Sequence, residues 1–398
     1  MSQRTAGAVD VAVIGGGIIG LAIAWRAAQR GLSVLVLERD VPGGGASRVA
    51  AGMLAPVAEA TPGEEPLLEL GLRGALAYAE FASELAAASG ASGVGYTPCG
   101  TLLVARDADE AQALERELEL RRRFGLAVKR LRASEARRLE PGLAPSLRLA
   151  LEVPDDHAVD PRALTRALTE AISRAGGEVR EHAPVAGLAL GGGPGADAQR
   201  VVGVRLASGS TVEAEQVVIA AGVWSARLEG VPPAARVPVR PVKGQILRLH
   251  DPAGPGLLTR VIRMGGSYIT PRGDGRYVIG ATSEERGFDT TVTAGAAFEL
   301  LRDASELVPG VSELVIDELS AGLRPGTPDN LPLIGAGAIA GLLWATGHRR
   351  GGVLLAPITA ELIVAELCGD KPCELAAAFS PSRLQRDPAR EPGVRSAA

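Results

Sequence analysis

The chain is 398 residues long, enough to build two sizeable cores, and its net charge of −4 offers no basic footprint for nucleic acid. No apolar run approaches the roughly 20 residues needed to cross a bilayer, so no membrane span is expected. Three cysteines (Cys99, Cys368, Cys373) and four histidines (His157, His182, His250, His348) are too scattered for a disulfide framework or a metal-ligand set. Residues 1–10 read as a short polar tail rather than a signal peptide, which points to the cytoplasm. Of the 42 basic residues only three are lysine; this reads as coding bias, and no arginine stands out by type alone.

The first ordered stretch sets the plan. Residues 11–14 are an apolar run of the kind that makes a buried parallel strand. Gly15, Gly17 and Gly20 follow in G-x-G-x-x-G spacing, then a helical stretch over 18–30 ended by Gly31, then a second apolar run over 34–37 finishing in Glu38. Gly15 permits the tight turn, Gly17 lets a pyrophosphate approach the backbone, and Gly20 lets the helix pack close to the sheet. The helix N-terminus offers N–H groups and a positive dipole end to phosphates. Glu38 is placed to hold the hydroxyls of an adenosine ribose, whereas a glycine-rich turn without a ligand leaves it unexplained. The fingerprint alone does not separate NAD from FAD.

Residues 41–56, VPGGGASRVAAGMLAP, begin with a flexible turn at 43–45 and continue through Ala46, Ser47, Ala50, Ala51, Gly52 and Met53. Small residues let backbone approach a flat ligand closely; a plain helix start is the other reading. After a GGGIIG turn and an acidic strand end, this stretch resembles the glycine oxidase branch of the D-amino-acid oxidase family, flavoproteins associated with thiamine biosynthesis. The resemblance favours FAD over NAD. It implies that the flavin is lined by Ile18, Ile19, Glu38, Arg39, Ala46, Ser47, Ala51, Gly52 and Met53.

Further along, helices are expected over 66–89, 107–124 and 134–139, with a strand over 101–105. Arg121, Arg122 and Arg123 close the second helix as an anion site or, the favoured reading, a solvated terminus suited to the helix dipole. Asp160-Pro161-Arg162 starts a helix that runs to residue 175. A strand follows over 178–182. Val185 is either a core valine or, by the resemblance, a backbone contact to adenine. A loop over 191–198 joins strands around Leu188 and over 201–206, and a buried strand over 216–220 leads into small residues near the flavin, with Trp224 and Ser225 starting a helix. From 231 to 319 apolar and polar residues alternate as in a half-buried antiparallel sheet, with a hairpin turn at 273–275 and a helix over 297–307. A strand over 343–345 and a turn at Gly347, Gly351 and Gly352 precede an apolar helix. The resemblance places His348, Arg349, Arg350, Gly351, Gly352, Val353 and Leu354 at the flavin.

The expected fold is α/β. A Rossmann-type FAD-binding domain (8–90, 145–230, 322–370) carries an inserted antiparallel-sheet substrate domain (91–144, 231–321), and a tail (371–398) ends disordered.

Amino-acid oxidation needs a carboxylate clamp, a flat redox ring and an oriented Cα–H bond, but no metal and no nucleophile. Arg324, in GLRPGT at a strand end, suits a two-pronged grip on a carboxylate. The resemblance implies Arg324, Arg350 and Tyr268 as substrate residues; a surface arginine and a strand tyrosine are the plainer readings. Two positions depart from the family: Arg349, where an aromatic residue is usual, and Ser283, where some relatives carry methionine. Both would shift preference from glycine toward sarcosine or a larger D-amino acid. His348 reads as a backbone-bonded turn residue. No cysteine lies in the turns beside the flavin, so FAD is expected to be non-covalent.

The expected activity is oxidation of glycine, sarcosine or small D-amino acids by molecular oxygen to imine or glyoxylate, ammonia and hydrogen peroxide. By the resemblance the imine feeds a thiazole synthase, and the chain forms a homo-oligomer, a tetramer. A dehydrogenase with another acceptor and a non-catalytic flavin-binding assembly factor are the rivals.

Overall fold

The computed structural model describes residues 8–192, 199–371 and 373–384. The strand Val9–Ile14 is buried from Val11 onward and pairs in parallel with both Val34–Leu37 and Thr211–Ile219. Glu178–Arg180 extends this parallel sheet on one side and Leu342–Thr346 on the other. Between the first two strands runs the helix Ile18–Gln29, apolar on nearly every face because it lies beneath the sheet rather than at the surface. Leu21 and Trp25 of this helix pack with Tyr78 and Phe81 of the long helix Glu65–Ser89, and with Leu164, Leu168, Ile358 and Ile363 of two further helices. The strands Val185–Gly192 and Gln199–Leu206 form an antiparallel flap on the sheet's edge.

A second eight-stranded sheet runs in the order Val315–Gly326, Arg240–His250, Arg276–Gly280, Ser267–Pro271, Val261–Met264, Thr101–Ala105, Leu149–Val153, Lys129–Arg132. It is antiparallel as expected, apart from one parallel pair, Val261–Met264 with Thr101–Ala105. The helix Ala294–Leu307 covers one face through Leu300, Ala304 and Leu307. This sheet takes in Leu149–Val153 and runs on to Gly326, so it reaches past the limits expected at 144 and 321.

Other expectations change with the tertiary contacts. Arg121 is not a solvated terminus: it is 1% exposed and donates to the carbonyls of Val57 (2.9 Å) and Ala58 (2.8 Å). Asp156 grips the same segment from the other side, accepting from the N–H groups of Val57 (3.2 Å) and Ala58 (2.6 Å). The tail is not wholly loose, since Glu374–Phe379 and Pro381–Arg383 form short turns that bury Leu375 and Phe379, and Arg383 pairs with Asp329 at 2.8 Å. Trp224 and Ser225 lie in a 3-10 turn, Gly222–Arg227. Of the loop expected over 191–198, Gly191 and Gly192 belong to a strand while residues 193–198 lie outside the described residues, as do 1–7 and 385–398 of the expected tails. No described helix is long and apolar enough to cross a membrane.

Candidate active site

A cleft of about 940 Å³ lies between the parallel sheet and the second sheet, at the upper end of the range for cofactor sites. At one end the carboxyl edge of Val9–Ile14 opens into the glycine turn. Gly15 has φ +107, and a Cβ there would stand 2.7 Å from the Ala220 carbonyl oxygen. A Cβ on Gly17 would meet only Ser47 Oγ at 3.5 Å, so the backbone is open to the cleft at this point. A Cβ on Gly20 would collide with the Gly15 carbonyl; Gly20 lies beneath the turn and does not line the cleft.

The first turn of the helix lacks intrahelical acceptors for its N–H groups. Ile18 N–H is taken by Ser47 Oγ at 2.9 Å; Gly17, Ile18 and Ile19 all face the cleft. Glu38 is fixed at the end of its strand by the N–H groups of Gly16 (2.7 Å) and Asp40 (3.0 Å). Each of its oxygens keeps a lone pair for a diol. Arg39 stacks on Trp224 at 4.1 Å, and Trp224 meets Phe288 of the second sheet's loop at 4.5 Å.

The stretch after Gly45 forms the floor. Ala46–Val49 is a single helical turn, and Ala46, Ser47, Ala51, Gly52 and Met53 line the cleft, with Val185 opposite. Gly52 has φ +79, and a Cβ there would strike the Val159 carbonyl, so packing as well as ligand approach requires it. The floor is tied to the second sheet: Arg272 donates to the carbonyls of Ala51 (2.6 Å) and Val159 (2.9 Å), and Arg248 to that of Arg48 (2.9 Å).

At the other end, Arg324 and Tyr268 project from the second sheet. Arg324 donates to the Thr282 carbonyl at 3.0 Å, and its guanidinium lies over Gly244, where any Cβ would meet it. Tyr268 reaches across Gly280 in the same way. Burial pushes its phenol upward, with the nearby Arg324 pulling the other way. Ser283 also lines the cleft.

The turn after Leu342–Thr346 supplies the last wall. His348, Arg349, Arg350, Gly352 and Val353 line the cleft, whereas Gly351 and Leu354 face a smaller cavity behind it, of about 50 Å³. His348 is not bonded through the backbone as expected. Its Nε2 lies 3.1 Å from Thr359 Oγ1, and burial pushes the imidazole down to about 3, so it stays neutral. Arg350 pairs with Glu64 at 2.9 Å, and Arg349 donates to Asn330 Oδ1 at 2.9 Å. Among the described residues, no cysteine lines the cleft.

Sequence reasoning did not single out Gly244, Glu59, Arg263, Arg227 or Phe288, all of which line the cleft. The motif VKGQ around Gly244 carried a usable signal, a glycine inside an alternating strand; the others are placed only by long-range packing.

The open glycine turn, the fixed Glu38 carboxylate and the flat floor of small residues fit a dinucleotide with a planar ring system. Comparison with known proteins agrees. The chain is 37% identical to the bifunctional protein ThiO/ThiG of Trichormus variabilis, over 96% of its own length and 56% of that protein. It thus spans about half the length of that relative. It is 36% identical to the glycine oxidase of Geobacillus kaustophilus, over 95% of this chain and 97% of that one. The crystal structure of that oxidase superposes with a TM-score of 0.86 at 34% identity, covering 96% of this chain and 100% of the other. The structure of iminodiacetate oxidase from Chelativorans superposes with a TM-score of 0.83 at 29% identity, covering 93% and 98%. Residues 10–366 match the FAD dependent oxidoreductase family of the D-amino-acid oxidase type, and the chain belongs to that family.

Proposed function

We propose that this protein is an amino acid oxidase acting on glycine and related small amines, with FAD held non-covalently. The observation that carries the reading is Arg324. It is a guanidinium at the cleft's substrate end, seated on Gly244, held by one carbonyl, and paired with no carboxylate among the described residues. Such a group grips a substrate carboxylate by two parallel hydrogen bonds. Tyr268 adds a hydroxyl on the same side, and Arg350, steadied by Glu64, adds positive charge at the flavin-facing turn. Bound FAD supplies the hydride acceptor and passes the electrons to oxygen. The chain's part is to fix the carboxylate so that the Cα–H bond faces the floor made by Ala46 to Met53, and to keep water from that face with apolar walls. Burial disfavours the protonated form of His348 and Thr359 engages its Nε2, so it is a poor proton acceptor here. The cleft lining, which includes no cysteine among the described residues, supports non-covalent binding.

Glycine follows from the similarity to glycine oxidases. The similarity to half of a bifunctional ThiO/ThiG protein supports delivery of the imine to a thiazole synthase.

The test is an anaerobic titration of the yellow protein with glycine, sarcosine, D-alanine and D-proline, followed by oxygen. Bleaching, then rapid recovery with peroxide, is the expected result; bleaching without recovery assigns a dehydrogenase. No bleaching by any of them rejects the amino-acid reading. Arg324→Ala should keep its FAD and lose about 100-fold or more in kcat/KM for glycine, the scale of a lost charge-assisted clamp.

A further inference from the structure

Two guanidinium groups face the substrate end of the cleft with no carboxylate of the described residues in direct ion-pair contact. Arg324 has the Thr282 carbonyl at 3.0 Å, and Arg349 has the side-chain oxygen of Asn330 at 2.9 Å; neither forms an ion pair with a described residue. Two neighbouring cations are paired. Arg350 is paired with Glu64 at 2.9 Å, and Arg263 stands 3.8 Å from Glu59. Both oxygens of Glu64 are engaged, because the second accepts from Asn330 Nδ2 at 2.9 Å. That bond also fixes the amide so that its oxygen turns to Arg349. Arg349 therefore receives a dipole where its neighbour receives a charge.

The arrangement is costly without an anion. Burial disfavours the charged form of Arg349, and the like charges of Arg350, Arg240 and Arg324 disfavour it further, with Glu64 alone pulling the other way. A single substrate carboxylate on Arg324 relieves only one of the two unpaired guanidiniums. Room for a second group exists, since Ser283 is small and exposed on the same wall.

We propose that the cleft takes amino acids bearing a second acid group, on the nitrogen or on the side chain, with the α-carboxylate on Arg324 and the second anion on Arg349. This rests on the amino-acid reading above and names its substrate class. The overall reaction keeps its balance. The Cα–H and N–H bonds of the diacid are lost as the C=N bond forms, and oxygen takes the two electrons and two protons to become hydrogen peroxide. Water then adds across C=N, the C–N bond breaks, and a 2-oxo acid leaves with the remaining amine.

The experiment compares matched pairs on the holoenzyme: N-carboxymethylglycine against sarcosine, and D-aspartate against D-alanine. The expected result is a kcat/KM for each diacid about 10-fold or more above its monoacid partner, the worth of one added charge-assisted contact. Arg349→Leu should lower that ratio about 10-fold or more, and Arg349→Lys should restore part of it. Equal kcat/KM for diacid and monoacid in the wild type overturns the proposal, even if the leucine variant loses its cofactor. An equal fall for both members of a pair in Arg349→Leu also overturns it, assigning Arg349 to the flavin. Flavin reduction by the monoacids alone sinks this proposal and leaves the amino-acid reading standing; reduction by neither sinks both.

Discussion

Arg324 can take its place in the cleft only because a residue on the neighbouring strand has no side chain. Val242 is the cross-strand partner of Arg324, and Gly244, two residues on, points to the same face, where the guanidinium lies over it. Gly244→Ala should leave the fold intact, because the displaced group is the free end of a long side chain. It should misplace the clamp and lower kcat/KM for glycine about 10- to 100-fold, with the thermal midpoint nearly unchanged. Steady-state peroxide assays beside a melting curve check both halves. The strand end that carries Arg324 was legible in the sequence, since GLRPGT marks it with a fixed turn. The partner on which it rests was not, because a cross-strand neighbour far off in sequence leaves no local trace. His348 shows the same limit: its turn was readable, but its bond to Thr359 depends on how the turn folds back onto the following helix.

At the scale of elements, the parallel strands and the dinucleotide helix were readable almost residue by residue, because a buried βαβ unit writes its apolar runs and glycines directly into the chain. How the floor attaches to them was not. Ser47, which reads as one small residue in a row of them, caps the helix by accepting from Ile18 N–H at 2.9 Å. Ser47→Ala should cost about 1 kcal/mol of stability, the ordinary worth of such a cap, and should weaken FAD binding because the floor is no longer pinned to the helix start. Denaturant titration of the apoprotein and a flavin-quenching Kd measure the two effects separately. The arginines that tie the floor and its continuation in place, Arg121, Arg248 and Arg272, end on backbone carbonyls, and nothing in an arginine-rich sequence distinguishes them from solvated ones.

Over the whole molecule, the segment after the floor is held between Arg121 and Asp156, and this buried carboxylate couples stability to pH. Burial raises the Asp156 carboxyl from 3.8 to about 7, against the pull of the Ala58 and Val57 N–H groups and of Arg121. The folded chain therefore binds this proton more tightly than the unfolded chain between those values. The contribution of the group to stability falls as pH rises through that window. His348 acts in the opposite sense, since burial lowers it from 6.5 to about 3, and its contribution rises with pH over that range. The two offset each other in the wild type, so the difference between variants is the informative quantity. The melting temperature of Asp156→Asn, relative to wild type, should move in the variant's favour as pH is raised from about 4 to 8. A difference that stays flat across that range would mean that Asp156 titrates as an exposed carboxylate.

The walls of the cleft come from opposite ends of the sequence: Ile14 to Ile19 on one side, Thr346 to Val353 on the other, with the strands Arg240–His250 and Val315–Gly326 between. A polypeptide growing on a ribosome carries the glycine turn from the outset but has nothing to close the cradle until Val353 has emerged. Capture of the cofactor in the closed cleft thus waits for a chain that reaches at least Val353. The apolar strands made earlier wait through most of synthesis without the ligand that will later cover them.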